Sequence, residues 1–146
     1  MKINTIGFTK KNAQTFFNFI KHENVSTLID VRLNNVSQLA AYAKRDDLKF
    51  FLRELCDSDY VHIPDLAPTK ELLSSYKKGH TSWEHYQDSF LNLMAQRNVE
   101  RILQPSLLND SCLLCSEHEP HFCHRRLVTE YLNAHSDFNF TVKHLY

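Results

Sequence analysis

A chain of 146 residues with 42% hydrophobic and 12% aromatic side chains carries too much core-forming material for a disordered segment, and enough to bury a continuous core without cross-links. This predicts one domain over residues 1–146. The 17 basic and 17 acidic side chains cancel, so no global field draws the chain to a phosphate backbone or an anionic membrane, and any anion binding has to be local. With Gly7 and Gly79 as its only glycines, the chain has no glycine-rich nucleotide loop of the Rossmann or Walker kind.

Ile3 to Phe8 reads as a strand, and Thr9 to Asn12 offers a capping start to a helix in which Phe16, Phe17, Phe19 and Ile20 recur at helical spacing. Ser26 to Arg32 predicts a second strand with Asp30 and Arg32 at its carboxyl end, followed by a polar loop from Asn34 to Gln38. Leu48, Phe51, Leu52 and Leu55 mark an amphipathic helix, and Tyr60 to Ile63 a third strand. Beyond the prolines Pro64 and Pro68, helices are expected over Lys70 to Lys77 and Trp83 to Ile102, separated by Gly79-His80. Trp83, Tyr86 and Phe90 fall at helical spacing and read as core packing, not as a base-stacking platform. Ser111 to Cys115 is the most apolar strand, Pro120 is expected to open a helix through Asn133, and Phe140 to Leu145 alternates like a terminal strand.

Strands that alternate with helices predict a mostly parallel open sheet with helices on both faces, since parallel neighbours need crossover connections. In such sheets the ligand crevice lies beyond the carboxyl ends of the strands. Four polar clusters are expected to converge there: Gly7 to Thr9, Asp30 to Arg32, His62 to Asp65, and Cys115 to Arg126. The apolar stretches run only a few residues and Met1 is followed by Lys2, so neither a membrane span nor a signal peptide is expected, and the predicted location is cytoplasmic. Three of the four cysteines crowd into twelve positions of a chain that needs no cross-link, so reduced thiols are expected.

The last cluster carries the chemistry. A cysteine in a first helical turn beside Arg125 or Arg126 is biased toward thiolate by the helix N-terminus and the guanidinium, which favours Cys123 as a nucleophile. Cys115 reads as a resolving thiol, a second ligand or a small core residue. Packing and capping are the plain alternative for both. His124 and Glu117 are the candidate proton carriers, and Arg32 and Arg125 the candidate anion clamps, unless Asp30 or Glu117 neutralises them.

Five sulfur and imidazole groups between Cys115 and His124 invite a metal reading. Cys112 and Cys115, however, stand three apart in a strand and face opposite ways, and a histidine-rich loop is more often solvated than ligated. No metal is assigned. A site from Cys115, Cys123 and a histidine remains the metal-bearing alternative, and the sequence names no cofactor. The hydrolase elbow Gly-x-Ser-x-Gly is absent, and a phosphatase-like cysteine loop fails because Cys115 to Arg125 is too long, lacks glycine and contains Pro120.

Thr5-Ile6-Gly7, Leu28 to Arg32, His62-Ile63-Pro64 with Leu66, Leu114 to Glu117, Cys123 to Val128 and the closing Val142 to Leu145 together resemble the domain-of-unknown-function family 488. The resemblance implies an α/β domain and marks Asp30, Arg32, Cys115, Glu117, Cys123, His124 and Arg125 as matching the family's polar motifs. Phe8 departs from the polar or tyrosine residue usual after the glycine.

The expectation is an enzyme acting on an anionic small molecule, a nucleotide or nucleic-acid-related substrate. Catalytic residues would be Cys115, Glu117, Cys123 and His124, and binding residues Asp30, Arg32, His62 and Arg125. The alternative is a non-catalytic module that binds nucleic acid or protein.

Overall fold

The structure, a computed structural model, describes residues 1–36 and 40–146. Five strands form one sheet in the order β3-β2-β4-β1-β5: β1 (Lys2–Gly7), β2 (Thr27–Asp30), β3 (Asp59–His62), β4 (Ser111–Cys115) and β5 (Thr141–Leu145). Every pairing is parallel, which completes the expected mostly parallel sheet.

Side chains alternate across the sheet and divide the core in two. On one face Ile6, Leu28, Cys112 and Leu114 pack with Phe16, Phe17 and Ile20 of α1 (Ala13–His22) and Leu48 of α2 (Arg45–Phe51). On the other, Ile3, Ile29, Leu113 and Cys115 pack with Tyr86, Phe90 and Met94 of a long helix and with Leu127, Val128 and Tyr131 of the last one. Cys112 and Cys115 therefore face opposite layers, as their spacing in a strand requires.

The helix starts obey local chemistry. Asn12, Thr69 and Ser82 each cap a helix through a side-chain oxygen that accepts a backbone N–H, opening α1, α3 (Lys70–Lys77) and α4 (Trp83–Arg97). The helix expected through Ile102 instead breaks at Asn98, which takes left-handed φ/ψ of 51° and 47° and donates its backbone N–H to Ala95 and Met94 carbonyls. Asparagine tolerates that conformation. Two short helices follow, α5 (Val99–Ile102) and α6 (Pro105–Leu108).

After α2 the chain widens into a π-turn, Leu52–Cys56, and leaves it through Asp57 in the left-handed region. The helix expected from Pro120 begins later: α7 spans His124–His135 with Cys123 as its N-cap, and the residues from Pro120 on are irregular until then. Of the expected polar loop, Ser37 and Gln38 lie outside the described residues. Among those described, no helix is long and apolar enough to cross a membrane.

The register places four strand ends on one rim. Gly7 pairs with Cys115, Leu114 with both Ile6 and Asp30, and Asp30 with His62. The polar residues that follow each strand leave the sheet at one height.

Candidate functional site

At the end of β2, Asp30 is fully buried and accepts four hydrogen bonds: from Arg32 Nε (2.9 Å), Arg32 Nη2 (2.8 Å), the Arg32 backbone N–H (3.1 Å) and the Tyr60 hydroxyl (2.7 Å). The two-pronged ion pair is the strong form of charge-assisted hydrogen bond, and it offsets the cost of taking both charges out of water. Burial, then the hydrogen bond to Asp30 and its charge, push the Tyr60 hydroxyl far up from its ordinary pKa. Arg32 Nη2 also donates to the Ala43 carbonyl (2.7 Å), and the guanidinium lies 5.4 Å from the centre of the Phe8 ring. The remaining nitrogen, Nη1, is buried and has no hydrogen-bond partner among the described residues. A buried N–H without a partner costs about 1–3 kcal/mol, which any acceptor reaching it would recover.

The segment from Cys115 to Arg125 wraps over the end of β1. A Cβ on Gly7 would sit 1.6 Å from the Glu117 carbonyl oxygen and 2.9 Å from Arg125 Nη1, so only glycine lets the two backbones meet there. The fully buried Arg125 fixes the crossing. It donates to the Glu117 carbonyl and the His118 carbonyl (3.1 Å), and more weakly to Thr5 Oγ1 (3.4 Å) and Cys123 Sγ (3.6 Å). Thr9 adds a backbone hydrogen bond to the Ser116 carbonyl.

The sulfur atoms of Cys115 and Cys123 and the ring of His124 meet beneath this loop. His124 Nε2 lies 2.7 Å from the Val31 carbonyl oxygen, which only accepts, so Nε2 carries a proton. Nδ1 then faces Cys115 Sγ at 3.6 Å. A hydrogen bond from the Cys123 thiol and the charge of His124 hold the Cys115 thiol well below its usual range, against the opposing pull of burial. For His124, burial works to lower the pKa, but the adjacent Cys115 sulfur and the Val31 carbonyl outweigh it and raise the net value. Cys123 moves the other way: burial, followed by its hydrogen bond to Cys115 and that sulfur's charge, pushes its thiol well up. These shifts favour negative charge on the Cys115 sulfur over the Cys123 sulfur, and positive charge on the His124 ring beside it.

These groups border a cavity of about 370 Å³. Arg32, Cys115, Glu117, Phe122, Cys123 and His124 line it, together with Tyr76, Lys77 and Tyr86 from α3 and α4. Phe122, 62% exposed, meets Trp83 edge-on with centroids 5.5 Å apart.

The structure thus brings Arg32, Cys115, Glu117, Cys123 and His124 to one cavity and sets Asp30, His62 and Arg125 behind its walls. His62 Nε2 donates to the Arg32 carbonyl (2.8 Å), and neither Asp30 nor Arg125 lines the space. The residues after His62 do not reach it, a departure from the four converging clusters expected. Cys123, expected in the first helical turn, stands at the N-cap of α7 with its thiol pKa pushed up, whereas that of Cys115 is lowered. Tyr76 and Lys77 were not foreseen. Their only sequence signal is an aromatic run, Tyr76, Trp83 and Tyr86, around the Gly79 turn.

The Cys115, Cys123 and His124 donor atoms all lie within 4.8 Å of one another, and among the described residues they are the group whose spacing could suit a soft metal ion. His118 and His121 turn elsewhere, to Lys11 (3.2 Å) and Glu119 (3.8 Å).

Fold and site together define a parallel α/β protein with a thiol, imidazole and guanidinium cavity at the carboxyl rim of its sheet. The chain belongs to the family described as Domain of unknown function DUF488, whose model matches residues 12–132. Comparison with curated proteins and with solved structures returned no match.

Proposed function

We propose that this protein is an enzyme acting on an anionic substrate, a nucleotide or nucleic-acid-related molecule, with Cys115 as the nucleophile. The observation that supports the reading is that Arg32, whose buried Nη1 has no hydrogen-bond partner among the described residues, lines the same cavity as a cysteine sulfur beside an imidazole. A guanidinium with one free donor suits a phosphate or carboxylate oxygen, and a thiolate suits an electrophilic carbon or phosphorus held beside it. Asp30 fixes the guanidinium, His124 and Glu117 serve as proton carriers, Cys123 steadies the thiolate, and Arg125 and His62 hold the surrounding backbone.

The experiment is alkylation of the full-length protein by iodoacetamide near neutral pH, with labelled peptides identified by mass spectrometry, with and without a nucleoside monophosphate. Cys115 is expected to label well before Cys56, and the nucleotide to slow it in wild type but not in Arg32→Ala. Equal labelling of Cys115 and Cys56, untouched by nucleotide, would refute the reading. Stoichiometric metal in protein purified without a histidine tag would replace it with a metal-bearing binding module.

A further inference from the structure

Two sulfurs share the cavity, and a single nucleophile accounts for only one of them. Cys115 and Cys123 are eight positions apart in the chain, yet their Sγ atoms lie within 4.8 Å of each other, and both border the same cavity. Neither remaining cysteine competes for them: Cys112 packs in the opposite layer of the core, and Cys56 lies against α1, donating its S–H to the Phe17 carbonyl. We infer that Cys115 and Cys123 form a reversible disulfide when a hydroperoxide enters the cavity, a modification site that turns the nucleophile off.

The chemistry closes on groups already in place. The Cys115 sulfur attacks the nearer peroxide oxygen, the O–O bond breaks, and the leaving oxygen takes a proton from His124 and departs as water or an alcohol. Cys115 is now a sulfenic acid, oxidised by two electrons while the peroxide is reduced by two. The Cys123 thiol loses its proton to the imidazole, its sulfur attacks the sulfenic sulfur, and the hydroxyl leaves as water with that proton. The sum is two thiols and one hydroperoxide giving one disulfide, one water and one water or alcohol. Arg125, donating to Cys123 Sγ at 3.6 Å, favours the negative charge that develops there.

Geometry asks for little movement. Cys123 precedes the regular turns of α7, in extended backbone with φ −139° and ψ 137°, and its side chain makes no capping hydrogen bond. Turning the two side chains toward one another thus breaks no capping hydrogen bond of α7. Both residues are nearly enclosed, at 4% and 2% exposure, so a sulfenic acid on Cys115 meets Cys123 before it meets a bulky external thiol.

The inference rests on the two sulfurs and on the nucleophilic reading of Cys115, not on the anion. The test treats full-length protein, with no ligand present, with a stoichiometric amount of hydrogen peroxide. Free thiols are then counted after denaturation and the peptides mapped. Wild type is expected to lose two thiols, to yield the Cys115–Cys123 cross-linked peptide, and to recover both thiols with dithiothreitol. Cys123→Ser should instead hold a sulfenic acid at Cys115 that dimedone traps, and Cys115→Ser should lose no thiol pair. Folded protein whose two thiols stay reduced, that goes to sulfinic acid with no cross-link, or that bridges to Cys56 would overturn the inference. Cross-linking in protein whose alkylation ignores nucleotide would leave this inference standing and remove the anionic substrate. Protection by nucleotide without cross-linking would do the reverse.

Discussion

His124 is held between two partners, donating from Nε2 to the Val31 carbonyl at 2.7 Å and turning Nδ1 toward Cys115 Sγ at 3.6 Å. The Cys123 hydrogen bond and the His124 charge lower the Cys115 pKa, so its thiolate fills as pH rises through a value below the ordinary thiol range, and reactivity fades on acidification. The pH profile of Cys115 alkylation should have its midpoint well below the profile of Cys56, whose thiol burial pushes up. His124→Gln should move the Cys115 midpoint upward. Superimposable wild-type and His124→Gln profiles would remove the ion pair.

The same shifts set a stability window. Cys115, with a lowered folded pKa, contributes stability that is present above its unfolded value and lost as pH falls through the folded one. His124, with a raised folded pKa, contributes stability that is present below its unfolded value and lost as pH rises through the folded one. His124→Gln should therefore cost most between the two folded values and least at either extreme, read as urea midpoints across pH.

Asp30 and Tyr60 separate a charge from a hydrogen bond. Asp30→Asn leaves the buried Arg32 charge without its counter-ion and should cost about 3–5 kcal/mol. Tyr60→Phe removes one of the four hydrogen bonds to Asp30 and should cost about 1 kcal/mol. Urea unfolding of both variants compares them directly, and equal losses would show that the ion pair contributes no more than a neutral contact.

Gly7→Ala forces a methyl group into the Glu117 carbonyl. The strain should cost about 1–3 kcal/mol by overpacking and should change the alkylation rate of Cys115, which lies opposite Gly7 in the sheet register. Gly79→Ala is the contrast: its φ of 74° strains an alanine, but no atom lies within 4 Å of the added Cβ, so it should lose stability and leave the Cys115 rate unchanged.

Arg125→Lys keeps the charge and loses the planar fork that holds the Glu117 and His118 carbonyls. A loss of about 2–4 kcal/mol is expected, since hydrogen bonds from a charged donor contribute about 1.5–3 kcal/mol each. Proteolysis should show new cleavage within 116–122. An unchanged digestion pattern would mean that the loop is held by other contacts.

Much of the fold was legible because its signals are local. Leu28-Ile29 and Leu113-Leu114 are apolar at neighbouring positions, as a strand covered on both faces demands. Cys112 and Cys115, three apart, had to separate. The late start of α7 was not legible, because Pro120 satisfies the local rule for a first helical turn, whereas the loop before it is held by Arg125 through the Glu117 and His118 carbonyls. Nor was the break at Asn98 read, although asparagine is a residue that tolerates left-handed φ. In the site, Arg32, Cys115, Glu117, Cys123 and His124 follow strands whose ends share one rim, so chain order alone pointed to their meeting. Tyr76 and Lys77 come from a helix whose place over the sheet is a matter of tertiary packing, which no spacing along the chain encodes.

The peptide unit between Val31 and Arg32 ties two tasks together. Its carbonyl anchors the proton on His124, and the next residue carries the Nη1 that has no partner among the described residues. A guest that pulled on the Arg32 side chain would load the same peptide link that orients the imidazole, so filling the cavity and tuning the sulfur would be mechanically geared through it.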